Sequence, residues 1–99
     1  MKTCIIVPTY NNAATLPAVL EGVVKYGIPV IVVNDGSTDQ TPHILSNFPI
    51  FRTITLSPNR GKGFALCAGF EEAERLGFER AITIDSDLQH DPSDIPRFL

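Results

Sequence analysis

Strand-like and helix-like segments alternate along the chain, and this alternation constrains the fold more than any other feature. Short apolar runs typical of β-strands occupy residues 3–7, 29–33, 52–56 and 81–84. Amphipathic segments with apolar residues at three- and four-residue spacing follow the first three runs. Regular alternation with short connections predicts a doubly wound, mostly parallel sheet with right-handed crossovers. We therefore expect an α/β fold.

Local signals predict where several elements begin and end. Pro8 is expected to end the first strand. Thr15 can cap the first helix, with Pro17 in its first turn, and Gly77 is expected to end the third helix. Ser93 can cap a final helix. The third strand alternates between apolar and polar residues, which favours an edge position in the sheet.

Composition and charge exclude several classes of partner. The chain has 99 residues, of which 43% are hydrophobic, enough for one small domain. Its net charge is −3 and its basic residues are scattered, so we expect no nucleic-acid partner and no anionic membrane contact for this segment. The first apolar stretch ends at Pro8, too early for a signal or membrane segment.

The two cysteines lack metal-binding or redox spacing. Cys4 lies in a strand-like run and Cys67 in a helix-like run. We expect both to be buried, reduced thiols, which is typical of a cytoplasmic protein.

Polar residues follow each strand-like run, where the carboxyl ends of parallel strands meet at one edge of a sheet. Ligands of open α/β sheets bind at that edge. Asp85 and Asp87 follow the fourth run and can converge on a divalent cation bound to phosphate. Tyr10 offers a face for base stacking, Asp35 can accept a base N–H, and Lys62 beside two glycines suits a phosphate.

Each of these residues also has a simpler structural interpretation. Tyr10 can cover the end of the sheet, Asp35 can serve an Asx-turn, and Lys62 can be a solvated side chain. The other polar residues of the first two loops are not distinguished from ordinary loop chemistry: Asn11, Asn12 and Ser37. His90, with no visible partner, is the weakest candidate.

Known motifs narrow the alternatives. A dinucleotide fingerprint starting at Gly61 would need glycine at Leu66, and Lys62 lacks the residues of a P-loop. A calcium loop starting at Asp85 would need glycine where His90 stands. A phosphatase with a nucleophilic aspartate in D-x-D remains the best rival on chemistry, although Gln89 stands where threonine or valine is expected.

Four motifs together resemble the N-terminal half of a family 2 glycosyltransferase with the GT-A fold. In chain order they are C-I-I-V-P-T-Y-N-N, V-I-V-V-N-D-G-S-T-D, N-R-G-K-G-F-A-L-C-A-G-F and D-S-D-L-Q-H-D-P. The aspartate motif followed by Gln-His is most similar to polyprenol- or dolichol-phosphate sugar transferases. The resemblance implies a Rossmann-like three-layer α/β/α domain of GT-A type, truncated to residues 1–99 as its nucleotide-sugar-binding half.

The resemblance also implies roles for individual residues. Pro8 and Tyr10 would border the nucleotide base and Asp35 would bind it, while Lys62 would lie near the nucleotide. Asp85 would engage the diphosphate and, with Asp87 and Gln89, a Mg²⁺ or Mn²⁺ ion. Asn12 and Asn34 depart from the acidic residues common in the family, which affects the expected donor. No catalytic residue is assignable in this chain.

The resemblance implies an inverting, metal-dependent enzyme that transfers a sugar from a UDP- or GDP-sugar to a polyprenyl-phosphate, glycolipid or polysaccharide acceptor of the cell envelope. With the acceptor-side half absent, we expect this chain alone to be inactive and to self-associate through an unpaired sheet edge. The intact protein is expected in the cytoplasm, at the cytoplasmic face of the membrane. The alternative from another class is a non-catalytic nucleotide-binding or assembly module.

Overall fold

The computed structural model describes residues 2–87, which form a four-stranded parallel sheet with helices on both faces. This three-layer arrangement confirms the predicted α/β fold. In chain order the elements are β1 (Thr3–Thr9), α1 (Leu16–Val24), β2 (Val30–Asp35), α2 (Thr41–Leu45), β3 (Arg52–Leu56), α3 (Lys62–Arg75) and β4 (Arg80–Thr83). The strands lie in the sheet in the order β3-β2-β1-β4.

The first strand continues through Pro8 to Thr9, so the prediction that Pro8 ends it is wrong. Ile5 N–H donates to Pro29 O on the β2 side, whereas Ile84 N–H donates to Ile6 O on the β4 side. Backbone groups of alternate residues therefore point to opposite neighbours, and Pro8 falls on the β4 side. Its missing donor is tolerated there because β4 has already ended at Thr83.

One face of the sheet is covered by α1 and α2 and contains most of the large buried side chains. The stripe predicted for α1 is buried as expected, through Leu16, Val19, Leu20 and Val23. Burying side chains of this size contributes about 1.5–3 kcal/mol each relative to exposure. This face therefore holds the main hydrophobic core.

The opposite face is covered by α3, whose buried residues are the small Ala65, Gly69 and Ala73. The larger apolar residues of this helix, Phe64 and Phe70, are exposed, as is Cys67. The prediction of two buried thiols is therefore correct for Cys4 and wrong for Cys67. The small residues let the helix lie close to the sheet and turn its bulkier side chains outward.

Element ends otherwise agree closely with the sequence signals. Thr15 occupies the N-cap of α1, although its side chain makes no capping hydrogen bond, and α3 ends before Gly77. The third strand is at the sheet edge as predicted. Among the described strands β4 forms the other edge, and the self-association expected from an unpaired edge stays a prediction. The predicted cap Ser93 lies outside the described residues.

No helix within residues 2–87 combines the length and the apolar character needed to cross a lipid bilayer.

Candidate functional site

Side-chain alternation places three of the predicted site residues on the α3 side of the sheet. Ile6 of β1 and Val33 of β2 belong to the core cluster under α3. Pro8 and Asp35 lie two residues further along the same strands and so point to the same side. Asp85, two residues beyond the end of β4, contacts the first residue of α3. The carboxyl ends of three neighbouring strands thus converge beside the start of α3.

These strand ends enclose a cleft of about 260 Å³. It lies where β1, β2 and β4 end and where α3 begins, as expected for an open α/β sheet. All five predicted nucleotide-binding residues line this cleft, and the predicted metal ligand Asp87 lines it too. The lining residues are Pro8, Thr9, Tyr10, Asn12, Asp35, Asn59, Gly61, Lys62, Ala65, Asp85, Ser86 and Asp87.

An ion pair crosses the cleft between α3 and the end of β4. Lys62 Nζ lies 2.5 Å from Asp85 Oδ1. The Lys62 side chain is 57% exposed and that of Asp85 14%, so the pair lies at the mouth of the cleft with its carboxylate end inside. An exposed ammonium beside a largely buried carboxylate is suited to bind an incoming anion next to a cation site.

The Asp35 carboxylate is buried and binds the loop that leads into α3. Its Oδ1 accepts a hydrogen bond from Arg60 N at 2.7 Å, and its Oδ2 accepts one from Gly61 N at 2.9 Å. Asn59 Nδ2 donates to the same Oδ2 at 2.8 Å and to the Asp35 carbonyl oxygen at 3.0 Å. The described contacts of Asp35 are therefore to this loop, and its proposed contact with a base stays a prediction.

The turn that carries Asp85 and Asp87 is tied to the loop after β1. Ser86, buried between the two aspartates, accepts a hydrogen bond on Oγ from Asn12 Nδ2 at 2.8 Å. Its carbonyl oxygen accepts another from Thr15 Oγ1 at 2.5 Å. From the sequence alone, Asn12 is not distinguished from ordinary loop chemistry and Thr15 is predicted to cap a helix. No local signal reveals these contacts, since the partners are more than 70 residues apart.

A second set of bonds joins the loops after β1 and β2. Asn11 N donates to Ser37 Oγ at 3.0 Å, and Thr38 N donates to Asn11 Oδ1 at 2.8 Å. Asp39 Oδ2 accepts from Ala13 N at 3.1 Å. The Thr41 hydroxyl, which donates to Asp39 Oδ1 at 2.6 Å, holds the pKa of Asp39 below its ordinary value. The first loop, which carries Tyr10, is therefore fixed from two sides.

The remaining predicted residues differ in how far the structure describes them. Tyr10 lines the cleft and is 47% exposed, and its stacking on a base stays a prediction. Asp87 is exposed at the cleft. The predicted metal ligand Gln89 and the weaker candidate His90 lie outside the described residues.

The donor set of the cleft fits a hard divalent cation. Asp85 and Asp87 supply carboxylate oxygens, and a cationic ammonium already lies against Asp85. Mg²⁺ is usually held by one or two carboxylates together with waters and substrate phosphates, so two aspartates suffice. Within residues 2–87 no group of three or more His, Cys, Asp or Glu residues surrounds a common point. The described residues therefore do not form a site that would coordinate a metal ion with protein ligands alone.

The parallel sheet and the cleft at its carboxyl edge define a Rossmann-like α/β domain, the type of fold to which GT-A domains belong. A family model described as Glycosyl transferase family 2 matches residues 4–99, nearly the whole chain, and the chain belongs to this family. The family assigned by resemblance in the sequence analysis is thereby confirmed.

Curated relatives point in the same direction. The undecaprenyl-phosphate 4-deoxy-4-formamido-L-arabinose transferase of Proteus mirabilis is 32% identical over 109 residues, spanning 99% of this chain and 32% of the relative. The transferase of the same name from Pseudomonas fluorescens is 33% identical over 107 residues, spanning 96% of this chain and 30% of the relative. The chain thus spans about a third of the length of the curated relatives that it matches.

Proposed function

We propose that the chain forms the nucleotide-sugar-binding half of an inverting, metal-dependent glycosyltransferase. The observation that carries the proposal is the cleft at the carboxyl edge of the sheet. There Lys62, Asp85 and Asp87 lie together, and Tyr10 borders the same cleft. Lys62 is suited to a diphosphate, the two aspartates are suited to a divalent cation, and Tyr10 is suited to a base. Membership of glycosyl transferase family 2 supports this assignment.

The donor would lie along the cleft with its base toward β1 and β2. Tyr10 would stack on the base beside Pro8, and Asp35 would accept a base N–H. Lys62 and the first N–H groups of α3 would bind the diphosphate through charge and the helix dipole. The donor is a UDP- or GDP-sugar in this proposal.

Asp85 and Asp87, with Gln89, would hold a Mg²⁺ or Mn²⁺ ion. Such an ion would neutralise negative charge on the diphosphate leaving group. Lys62, now paired with Asp85, would turn toward the phosphate oxygens when that carboxylate binds the metal. The chain's own residues would therefore balance the donor's charge from two sides of the cleft.

The proposed acceptor is a polyprenyl phosphate, with a glycolipid or polysaccharide as further candidates. The relatives described above are named as undecaprenyl-phosphate sugar transferases, which supports a lipid-linked acceptor for this chain. A lipid acceptor places the reaction at a membrane, and we propose the cytoplasmic face, where nucleotide sugars are made. The chemical step itself is not assigned to residues of this chain.

Calorimetric titration of the chain with UDP and with GDP, each with and without Mn²⁺, tests the donor site. We expect one nucleotide to bind in a metal-dependent manner. Asp87→Ala should abolish the metal dependence, and Glu71→Ala, which removes an exposed acid on α3, should leave binding unchanged. Absence of binding by both nucleotides, or full metal-dependent binding by Asp87→Ala, would contradict the proposed site.

Two alternatives give different results. A non-catalytic nucleotide-binding module would bind the nucleotide but support no transfer of sugar to undecaprenyl phosphate when the chain is extended to the length of its relatives. A D-x-D phosphatase would hydrolyse p-nitrophenyl phosphate, with loss of activity in Asp85→Asn. We expect no hydrolysis, because family membership favours sugar transfer.

A further inference from the structure

We propose that Asp35 is a positioning residue whose carboxylate fixes the loop preceding α3 and thereby places Lys62 for diphosphate binding. The inference deepens the proposed function and rests on it. It assigns Asp35 a part in binding the phosphates, in addition to any contact with the base. Its basis is the set of bonds between Asp35 and residues 59–61.

The bonds satisfy most of the acceptor capacity of Asp35. The residue is 2% exposed, and three N–H donors reach its two carboxylate oxygens from Asn59, Arg60 and Gly61. A carboxylate offers about four acceptor sites, so roughly one remains for a base. Charge-assisted bonds of this kind are about twice as strong as neutral ones. The carboxylate of Asp35 is therefore bonded as an anchor for the loop.

Two glycines allow the loop to lie against Asp35. A Cβ added at Gly36 would lie 2.6 Å from Asn59 N, so only glycine permits this approach of the two loops. Gly61 has a φ of 95°, in the left-handed region that other residues rarely adopt. Its N–H points to Asp35 at the step where the loop turns into the helix.

The anchored loop leads directly to Lys62. Gly61 is the N-cap of α3, its carbonyl oxygen accepts the hydrogen bond of Ala65 N at 3.0 Å, and Lys62 is the first helical residue. Because Asp35 fixes Arg60 N and Gly61 N, it fixes the start of the helix and the origin of the Lys62 side chain. From that origin the ammonium reaches Asp85 across the cleft.

A purely electrostatic effect and a positioning effect of Asp35 predict opposite changes in anion affinity for Asp35→Asn. Removing a negative charge beside the cleft should, by Coulomb attraction alone, strengthen the binding of an anion. Loss of the loop anchor should weaken it, because Lys62 and the N–H groups of α3 would no longer be held in place. A ligand without a base, inorganic pyrophosphate, separates positioning from base contact.

The experiment measures the Kd of pyrophosphate with Mg²⁺, and of the nucleotide that the wild type binds, by calorimetry. We expect Asp35→Asn to raise the Kd of pyrophosphate about tenfold, the equivalent of about 1.4 kcal/mol. Glu71→Gln makes the same chemical change on the exposed face of α3 and should leave it unchanged. In a Lys62→Met background, Asp35→Asn should have a smaller effect, because its action through Lys62 is lost and only the N–H groups at the start of α3 remain to be displaced.

Asn59→Ala provides a second variant that keeps the buried carboxylate. Asn59 is exposed, so its truncation should not prevent folding, yet it removes two of the bonds between the loop and Asp35. We expect a smaller rise in the pyrophosphate Kd and faster hydrogen exchange at the Arg60 and Gly61 amides. Unchanged exchange together with unchanged affinity would overturn the proposal even if Asp35→Asn fails to fold.

The outcomes distinguish failure of the positioning role of Asp35 from failure of the proposed donor site. If the wild type binds a nucleotide and Asp35→Asn leaves pyrophosphate binding equal or stronger, the positioning role is wrong and the donor site stands. Equal losses for Asp35→Asn with and without Lys62 would also overturn the positioning role. A wild type that binds neither nucleotide nor pyrophosphate overturns the proposed function and this inference together.

Discussion

The two faces of the sheet are built from side chains of different size, and each face contributes differently to the protein. Under α1 and α2, large aliphatic side chains such as Leu16 and Leu20 are fully buried. Under α3, the contact is made by Ala65, Gly69 and Ala73. The first face contributes most of the buried apolar volume, and the second brings a helix N-terminus close to the strand ends.

The difference shows how a small domain places a polar site without losing its core. The site residues Asp35 and Asp85 point to the α3 side. There the helix contacts the sheet through small side chains, which leaves space for the cleft at the carboxyl edge. The opposite side is filled with apolar groups. Substitutions of buried residues in the first face should therefore change stability alone, whereas substitutions of the packed residues in the second, such as Gly69, should change stability and the site together.

Leu20→Ala should produce the largest loss of stability. Leu20 is fully buried in the cluster under α1. Truncation of such a leucine typically lowers the free energy of unfolding by about 2–5 kcal/mol. Urea denaturation measures the loss, and Phe70→Ala, on the exposed face of α3, is the control. Folded Leu20→Ala should keep the wild-type Kd for nucleotide; a weakened Kd would contradict the separation of the two faces.

Gly69→Ala should disturb the second face. A Cβ at this position would lie 2.7 Å from Ile6 Cγ2 and 3.2 Å from Val33 Cγ2, both fully buried. Overpacking of this kind costs about 1–3 kcal/mol. The helix must move away from the sheet, so we expect lower stability in urea denaturation and a raised Kd for pyrophosphate.

Gly63→Ala is a matched control in the same helix. An added Cβ there meets nothing within 4 Å, and alanine is favoured over glycine in helices by about 1 kcal/mol. We expect Gly63→Ala to stabilise the chain. If both glycine variants changed stability in the same direction, close packing at Gly69 would not be the cause.

The alternation of elements and the convergence of the strand ends were predictable from the sequence. Continuous apolar runs followed by polar residues determine parallel strands whose carboxyl ends meet, which brings Asp35, Lys62 and Asp85 to one cleft. The end of each strand is marked by a local sequence signal, and the parallel topology then brings the carboxyl ends of the strands together. The roles of these residues with a ligand stay predictions.

Three features were not predictable, because they depend on distances between elements. The apolar pattern of α3 includes Phe64 and Cys67, and sequence alone does not reveal that the helix lies close enough to the sheet to turn both outward. The bond between Asn12 and Ser86 joins residues far apart in the chain, and neither carries a local signal for it. Likewise, Asp35 resembles a turn residue until its bonds to residues 59–61 are known.

Asp39→Asn tests the loop contacts on the side of α1 and α2. The pKa of Asp39 is lowered in the folded chain by the hydroxyl of Thr41, so its ionised form stabilises the fold. This contribution is present above the unfolded pKa of about 3.9 and is lost as the pH falls through the lower folded value. We expect a loss of about 1 kcal/mol at neutral pH, the usual net contribution of a hydrogen bond.

The pH dependence provides the check on Asp39. Urea denaturation at several pH values should show a constant difference between wild type and Asp39→Asn above about pH 5, which shrinks below about pH 4. Glu71→Gln, a carboxamide substitution on an exposed helical position, should show no comparable trend. A difference that grows on acidification would contradict the assigned role of the ionised carboxylate.

Lys62→Met should change stability least and the site most. The ammonium is largely exposed, and exposed ion pairs contribute about 0–1 kcal/mol, so the free energy of unfolding should stay nearly constant. The same substitution removes the cation nearest to Asp85 in the described cleft, and we expect the Kd of pyrophosphate to rise at least tenfold, a loss of about 1.4 kcal/mol.

Lys25→Met, at the exposed end of α1, removes an equal charge without approaching the cleft. If both lysine variants weakened pyrophosphate binding equally, net charge alone would account for the effect. A specific loss in Lys62→Met would show that the face under α3 contributes to binding through a residue that hardly contributes to stability.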